Sequence, residues 1–323
     1  MGVAKAKEPL TRVTTQESPM LKVLRLGIGV LWIIAGLLQF QPLMFTPDFY
    51  AWYPPNIMES VIQGITDGQP QFVVSLVHFG STVWSTEPVL FNVLAASLQL
   101  VIGFLFVYGK GRAAKVGFII SIGWGLVVWA FAEAFGQMFG GAGYFDGTPG
   151  AALLYVIVAI LLLLDRSSKG LRLRGQMALR YLTTMYWFYM ALLQILPSSG
   201  YWQPRGLMEP IATAGALPQP RFLSNPIEHF GTVIMHYGPL INLVLVVLMV
   251  VMAGITLFNA WNRVTIVLAL VWLFWSWWFG QDFGGLFAGA ATDLNSIPAI
   301  AVWTLALVFA KQNRATPGRN QAS

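Results

Sequence analysis

The chain has 323 residues, of which 56% are hydrophobic and only 10% are charged. No water-soluble domain needs so apolar a composition, and several apolar runs match the roughly 20 residues that cross a bilayer, so we expect an all-α polytopic membrane protein. Cysteine is absent, which excludes disulfides, thiolate-held zinc and iron–sulfur clusters. The net charge of +6 is not gathered in one patch, so nucleic acid is not a predicted partner.

The first half of the chain predicts four membrane helices after a polar tail, residues 1–20. The segment between the first and second of these helices is long and contains two amphipathic stretches, which we expect to lie on the membrane surface. The four predicted membrane helices are Leu21–Met44, Val89–Tyr108, Ala113–Met138 and Pro149–Leu164.

A basic connector, residues 166–176, separates this first unit (21–165) from a second unit (177–310), and a polar tail, 311–323, follows. Asn225, Pro226 and Glu228 resemble the start of a helix and predict a short helix that ends near Tyr237. The predicted membrane helices of the second unit are Met177–Pro197, Pro239–Phe258, Val264–Gly280 and Ile297–Ala310.

The two units carry the same landmarks in the same order. His78-Phe79-Gly80 recurs 151 residues later as His229-Phe230-Gly231, and Trp124 and Trp129 recur 148 residues later as Trp272 and Trp277. The spacing of Trp32, Gln39 and Pro42 returns in Trp187, Gln194 and Pro197. We therefore predict eight transmembrane helices, arranged as two parallel four-helix repeats with pseudo-twofold symmetry.

The distribution of basic residues predicts the orientation in the membrane. With the N-terminus inside, Arg205 and Arg221 are the only two of the 19 Lys and Arg residues that fall outside. The positive-inside rule thus places both termini in the cytoplasm of a prokaryotic cell, with the protein in its cytoplasmic membrane.

Two acidic residues near the predicted ends of Trp-rich helices are candidate ligand-binding groups. Glu133 lies about five residues before the end of the third helix, and Asp282, which aligns with Ala134, lies just past the seventh. Carboxylates at membrane depth are costly unless they are paired, so they are functional candidates or, alternatively, solvated groups at the headgroup level. The tentative ligand-binding residues are Glu133, Asp282, Gln39, Gln194, Trp129 and Trp277.

The three histidines, His78, His229 and His236, all fall on the outer side and form a candidate metal site. No two of them are three or four residues apart, the usual spacing of ligand pairs on a helix, so ordinary interfacial histidines are the alternative interpretation. No histidine lies deep in a membrane helix, and haem is not expected.

The start of the first unit resembles the DoxX/DoxD superfamily of small bacterial and archaeal membrane proteins. The resemblance is carried by Leu24-Arg25, Gly29, Trp32 and the stretch from Ala35 to Gln39. Some members of that superfamily are subunits of a thiosulfate:quinone oxidoreductase, so the resemblance implies a four-helix unit and a link to quinone chemistry.

Three functions follow as hypotheses. The leading one is a membrane subunit that binds a hydrophobic small molecule, quinone or lipid, between its halves and partners a redox protein. The alternatives are a transporter or channel for a small solute or ion, with Glu133 and Asp282 near its outer mouth, and a structural subunit of a larger membrane complex.

Overall fold

The computed structural model describes residues 17–50, 56–165 and 171–312, and this part of the chain is all-α, 80% helical and without strands. Short 3₁₀ turns follow several of the helices, including one at Ala134–Gln137 and one at Asp282–Gly285. The α-helices are α1 (Pro19–Leu38), α2 (Pro47–Tyr50), α3 (Ile57–Thr66), α4 (Gln71–Thr86), α5 (Pro88–Tyr108), α6 (Arg112–Phe131), α7 (Ala151–Asp165), α8 (Leu171–Ile195), α9 (Pro204–Gly215), α10 (Arg221–Leu257), α11 (Arg263–Gln281) and α12 (Ser296–Gln312).

Five helices of the described residues are long and apolar enough to cross a membrane. They are α1, α5, α6, α10 and α11, the last together with the turn that follows it. Two further apolar helices, α7 and α12, are shorter, with 15 and 17 residues. The five long apolar helices bear out the prediction of a multi-pass membrane protein.

Small residues set the closest helix contacts in the first unit. Gly29 of α1 and Gly103 of α5 face each other so closely that an added Cβ on Gly103 would lie 2.7 Å from the Gly29 carbonyl oxygen. In the same way, a Cβ on Gly125 of α6 would lie 2.6 Å from the side chain of Val156 in α7. Because lipid tails are as apolar as leucine, such close backbone approach is a main source of helix association in membranes.

One helix pair joins the two ends of the chain. Gly27 of α1 lies against Val302 of α12, where an added Cβ would be 2.6 Å from Cγ1 of the valine. The core is continuous across this contact, since buried residues of both halves belong to one cluster that includes Leu24, Trp187 and Trp303.

Several predicted boundaries are corrected. The first and third helices end earlier than expected, at Leu38 and Phe131. Helix α8 begins at Leu171, inside the predicted connector. Residues 166–170 of that connector lie outside the described residues. Of the two predicted tails, the structure describes only residues 17–20 and 311–312.

The region before the sixth predicted membrane helix agrees with the expectation in its break near Tyr237 and differs in where its helices begin. The short helix predicted to end near Tyr237 and the membrane helix predicted from Pro239 are both present, and they meet within α10 at a kink at the non-helical Tyr237. The first of them begins at Arg221, earlier than the predicted start at Asn225. Helix α9 was not predicted. In the first half, by contrast, α3 and α4 confirm the two predicted amphipathic helices, and the side chain of Asn56 caps α3 by accepting from the Glu59 N–H at 2.8 Å.

Candidate functional site

The turns after α6 and α11 have the same unusual backbone. Four consecutive residues in each are left-handed, with φ between 42° and 70°. Left-handed backbone costs about 1–2 kcal/mol for each non-glycine residue and persists only where the surroundings impose it. The two sets are Ala134, Phe135, Gly136 and Gln137, and Asp282, Phe283, Gly284 and Gly285.

Two tryptophans hold these turns in place. The indole N–H of Trp129 donates to the carbonyl of Pro149 at 2.8 Å, and that of Trp277 donates to the carbonyl of Leu294 at 2.9 Å. Each indole also packs edge-on against the left-handed phenylalanine of its own turn, with ring centroids 5.0 Å and 4.8 Å apart. Trp129 and Trp277, predicted as ligand contacts, therefore brace the backbone of the two hairpins.

Glu133 lies two residues beyond the end of α6, so its predicted place inside the third helix is wrong. Its carboxylate accepts from the N–H of Ala152 at 3.1 Å, and thus caps the N-terminus of α7 across the hairpin. In the second hairpin Gln281, 148 residues later, accepts from the N–H of Ile297 at 3.3 Å at the start of α12. The offset of 148 residues that relates Trp129 to Trp277 also relates Glu133 to Gln281. The cap is therefore a structural feature that both hairpins share.

The second hairpin has a neutral glutamine where the first has Glu133, and the surroundings of Glu133 disfavour its ionised form. Burial, together with the nearby carboxylate of Asp293, raises the pKa of Glu133 to about 8, although the helix N–H groups favour the ionised form. Burial also raises the pKa of Asp293, whose side chain accepts from the Asn295 N–H. The two carboxyl groups belong to different hairpins, so the loops of the two halves meet here.

Asp282 is the C-cap of α11, and its side chain is fully buried. Neither carboxylate oxygen has a hydrogen-bond partner among the described residues. The amide of Gln219 lies beside this residue, donating to the Asp282 backbone carbonyl at 2.6 Å and accepting from the Phe287 N–H at 3.0 Å. The predicted alignment is confirmed by the backbone, because Ala134 in the first hairpin has φ 46° and Asp282 has φ 42°.

The two predicted glutamines differ in what they bind. Gln194 donates to the side chain of Asn242 at 2.7 Å, and Asn242 donates back to the Gln194 carbonyl at 3.2 Å. Asn92 likewise donates to the Gln39 carbonyl at 2.8 Å, but the side-chain oxygen of Gln39 has no partner in the described part of the chain. The side chain of Gln194 thus joins α8 to α10, whereas the side-chain oxygen of Gln39 forms no such bond within the described residues.

Each hairpin loop crosses to the other half. Tyr144 stacks on Trp272 of α11 with ring centroids 5.6 Å apart, and its hydroxyl is 2.7 Å from the hydroxyl of Ser276. In the other direction, Gln41 donates to the Ala291 carbonyl at 3.2 Å. Sequence reasoning missed these contacts, since nothing in the local pattern shows that a loop packs outside its own unit.

An apolar cavity of about 280 Å³, largely open on its outer side, lies between α7, α8 and α12. On α8 its wall is formed by residues spaced three and four apart, that is, by one face of the helix. Almost all of the lining surface is apolar. The residues that line it are Pro149, Leu154, Ile157, Leu182, Met185, Tyr186, Tyr189 and Trp303.

The three histidines are exposed. His78 lies on α4 and the other two on α10, where His236 Nδ1 is 2.9 Å from the Thr232 carbonyl oxygen of its own helix. Within the described ranges no group of three His, Asp or Glu side chains is arranged to hold a metal ion. A metal site at the histidines stays a prediction that gains no support from this geometry.

Comparison of the chain with protein-family models, with curated proteins and with solved structures gives no match. The DoxX/DoxD resemblance therefore stays a prediction from sequence.

Proposed function

We propose that the protein is an integral membrane subunit that binds one extended apolar chain, from a lipid or from a quinone tail, in the cavity between α7 and α8. The cavity carries this proposal, because it lies between the predicted halves and its walls are apolar. Its volume is slightly below the roughly 300 Å³ at which pockets for drug-sized ligands begin, so it accommodates part of an acyl or isoprenoid chain and leaves a headgroup or quinone ring outside.

The repeat relates this cavity to the close contact between α1 and α12. The Trp32-to-Trp187 offset of 155 pairs Gly27 with Leu182, and the Pro149-to-Leu294 offset of 145 pairs Ile157 with Val302. Gly27 and Val302 make the close contact between α1 and α12, whereas Leu182 and Ile157 both line the cavity. Two large side chains thus replace a glycine–valine contact, and this keeps α8 apart from α7.

The cavity is within reach of the surrounding membrane. Met185, on its α8 wall, is 66% exposed, so lipid chains contact this side of the helix. An apolar chain that enters the cavity then replaces its contacts with other lipid tails by contacts with the cavity wall. Because both environments are apolar, a preference for the cavity comes mainly from how well the chain fits its shape.

The proposal includes the topology predicted from the sequence. It takes α1, α5, α6 and α7 as one quartet and α8, α10, α11 and α12 as a second, with eight membrane crossings in like orientation. The paired indole–carbonyl bonds and the paired Asn–Gln contacts support this arrangement. The distribution of Lys and Arg supports cytoplasmic termini.

A redox partner protein is part of the proposal through the DoxX/DoxD resemblance alone. The transport alternative makes a different demand on the structure. Transport requires Glu133 to be available to a solute, yet its carboxylate is engaged with the N-terminus of α7.

The test uses two photoreactive probes in vesicles, a phosphatidylglycerol with a diazirine in its acyl chain and a quinone with a diazirine in its isoprenoid tail. We expect at least one probe to cross-link to peptides of α7 and α8. The comparison between probes separates the lipid source from the quinone source, and unlabelled competitor of the same class should reduce the labelling.

Leu182→Trp fills the cavity and should reduce this labelling several-fold. Leu192→Trp is the matched control, because Leu192 lies on the same helix, is 51% exposed and does not line the cavity. Equal labelling of the two variants, or equal labelling at the α1–α12 contact in the wild type, would contradict the proposal.

A further inference from the structure

Asp282 carries a charge that its hairpin does not need. Ala134 occupies the same place in the first hairpin, is equally buried and has the same left-handed backbone. The residues that follow, Phe135-Gly136 and Phe283-Gly284, also match in φ to within a few degrees. An alanine is therefore sufficient to build this turn, and the carboxyl group of Asp282 has to be explained by something else.

The position is also electrostatically unfavourable for an anion. The C-terminus of a helix carries partial negative charge from its unpaired carbonyl groups, and α11 has no basic residue in its last turn. A buried carboxylate without a partner costs several kcal/mol, so such groups are normally paired, protonated or bound to a cation.

The neighbouring helices supply no positive partner. Helix α9 carries Arg205 and Glu209, and the first turns of α10 carry Arg221, Glu228 and His229. Within the described residues, none of these side chains forms an ion pair or a hydrogen bond with the carboxylate of Asp282.

We propose that Asp282 is the centre of a binding site for one monovalent cation, a proton or a sodium ion. The carboxylate supplies hard oxygen ligands, and the carbonyl oxygens at the end of α11 are oriented towards the same end of the helix. A divalent ion is not favoured, since it requires several carboxylates and no such group surrounds Asp282 in the described ranges. This site is independent of the apolar cavity and of the proposed function.

The test measures the melting temperature of the full-length protein in nanodiscs, in sodium chloride and in choline chloride, at pH 5 and at pH 8. The parent carries Glu133→Gln, so that the carboxyl group of Glu133 does not contribute. Asp282→Ala is then compared with this parent, and it should fold because Ala134 already occupies the equivalent position. Asp282→Asn, which keeps the shape of the side chain, replaces it if the alanine variant is not recovered.

Stabilisation of the parent by sodium over choline at pH 8, lost in Asp282→Ala, would identify a sodium ion. No sodium effect, but a larger loss of melting temperature between pH 5 and pH 8 in the parent than in Asp282→Ala, would identify a proton. The proposal is overturned if the variant and the parent respond alike to both sodium and pH, or if the variant responds more strongly. Glu228→Gln, an exposed acid on α10, is the control and should leave both responses unchanged.

Discussion

The backbone of Gly27 lies directly against the side chain of Val302, and this contact joins the first helix of the chain, α1, to the last, α12. Gly27→Leu should push α1 away from α12 and lower the stability of the protein by about 1–3 kcal/mol, the usual cost of overpacking a tight contact. Thermal unfolding in detergent measures the loss.

Gly123→Leu is the control for that substitution, because Gly123 is exposed on α6 and has no atom within 4 Å of an added Cβ. It should be neutral or slightly stabilising, since leucine is the better helix former. Val302→Ala should restore part of the stability of Gly27→Leu by vacating the space that the new side chain needs. Equal melting temperatures of Gly27→Leu and Gly123→Leu would contradict the close contact.

Glu133 should make the protein less stable as the pH rises. Its pKa is about 8 in the folded protein and 4.5 as its ordinary value, so between these pH values the folded state binds more protons than the unfolded state. The free energy of unfolding is therefore highest below about pH 4.5 and falls up to about pH 8. Glu133→Gln should remove much of this slope and raise the melting temperature at pH 8, because a glutamine performs the same cap at position 281.

The reciprocal change, Gln281→Glu, tests the same explanation from the other side. It introduces a carboxylate at a buried cap and should lower the melting temperature at pH 8 more than at pH 5. If Glu133→Gln lowers stability at pH 8, the negative charge itself is required at the N-terminus of α7, and the equivalence of the two caps is wrong.

Gln39 and Gln194 should respond differently to the same substitution. Gln194→Met removes a buried side-chain bond to Asn242 and should cost about 0.6–2 kcal/mol, the range measured for such bonds in membranes. Gln39→Met removes an amide whose oxygen has no partner in the described residues, and it should be neutral or stabilising. Thermal unfolding of both variants decides the matter, and a larger loss in Gln39→Met would show that this amide has a role.

Trp129→Phe and Trp277→Phe should destabilise the protein by similar amounts, about 1 kcal/mol or more each. Each change leaves a backbone carbonyl, of Pro149 or of Leu294, without its donor. Trp124→Phe is the control, because the indole N–H of Trp124 has no partner in the part of the chain that the structure describes. A loss in Trp124→Phe as large as in the other two would assign the effect to ring size instead of to the hydrogen bond.

The repeat landmarks were the most informative part of the sequence. Trp129 and Trp277 were paired by their offset, and the structure gives them the same hydrogen bond to the same part of the hairpin. The same offset pairs Glu133 with Gln281. The chemistry of the pair, a carboxylate against an amide, concealed the shared cap.

Other features were beyond the sequence for physical reasons. The apolar pattern continues from Phe131 to Phe139, and neither Ala134 nor Phe135 is a residue that normally stops a helix, so the end of α6 had no local signal. Pro239 did mark a break, which is the kink at the non-helical Tyr237, but the start of the preceding helix at Arg221 was not predicted. The cavity depends on which helix Leu182 faces, and that is a property of the packed molecule.

The crossing of Tyr144 into the second half limits how the molecule can move. A rigid rotation of one quartet against the other would have to pull this ring off Trp272 and withdraw Phe145 from the surface of Gly280, where there is no room even for a Cβ. Rigid rocking of the two halves about a central site is thus opposed by the way that these loops pack into the opposite half.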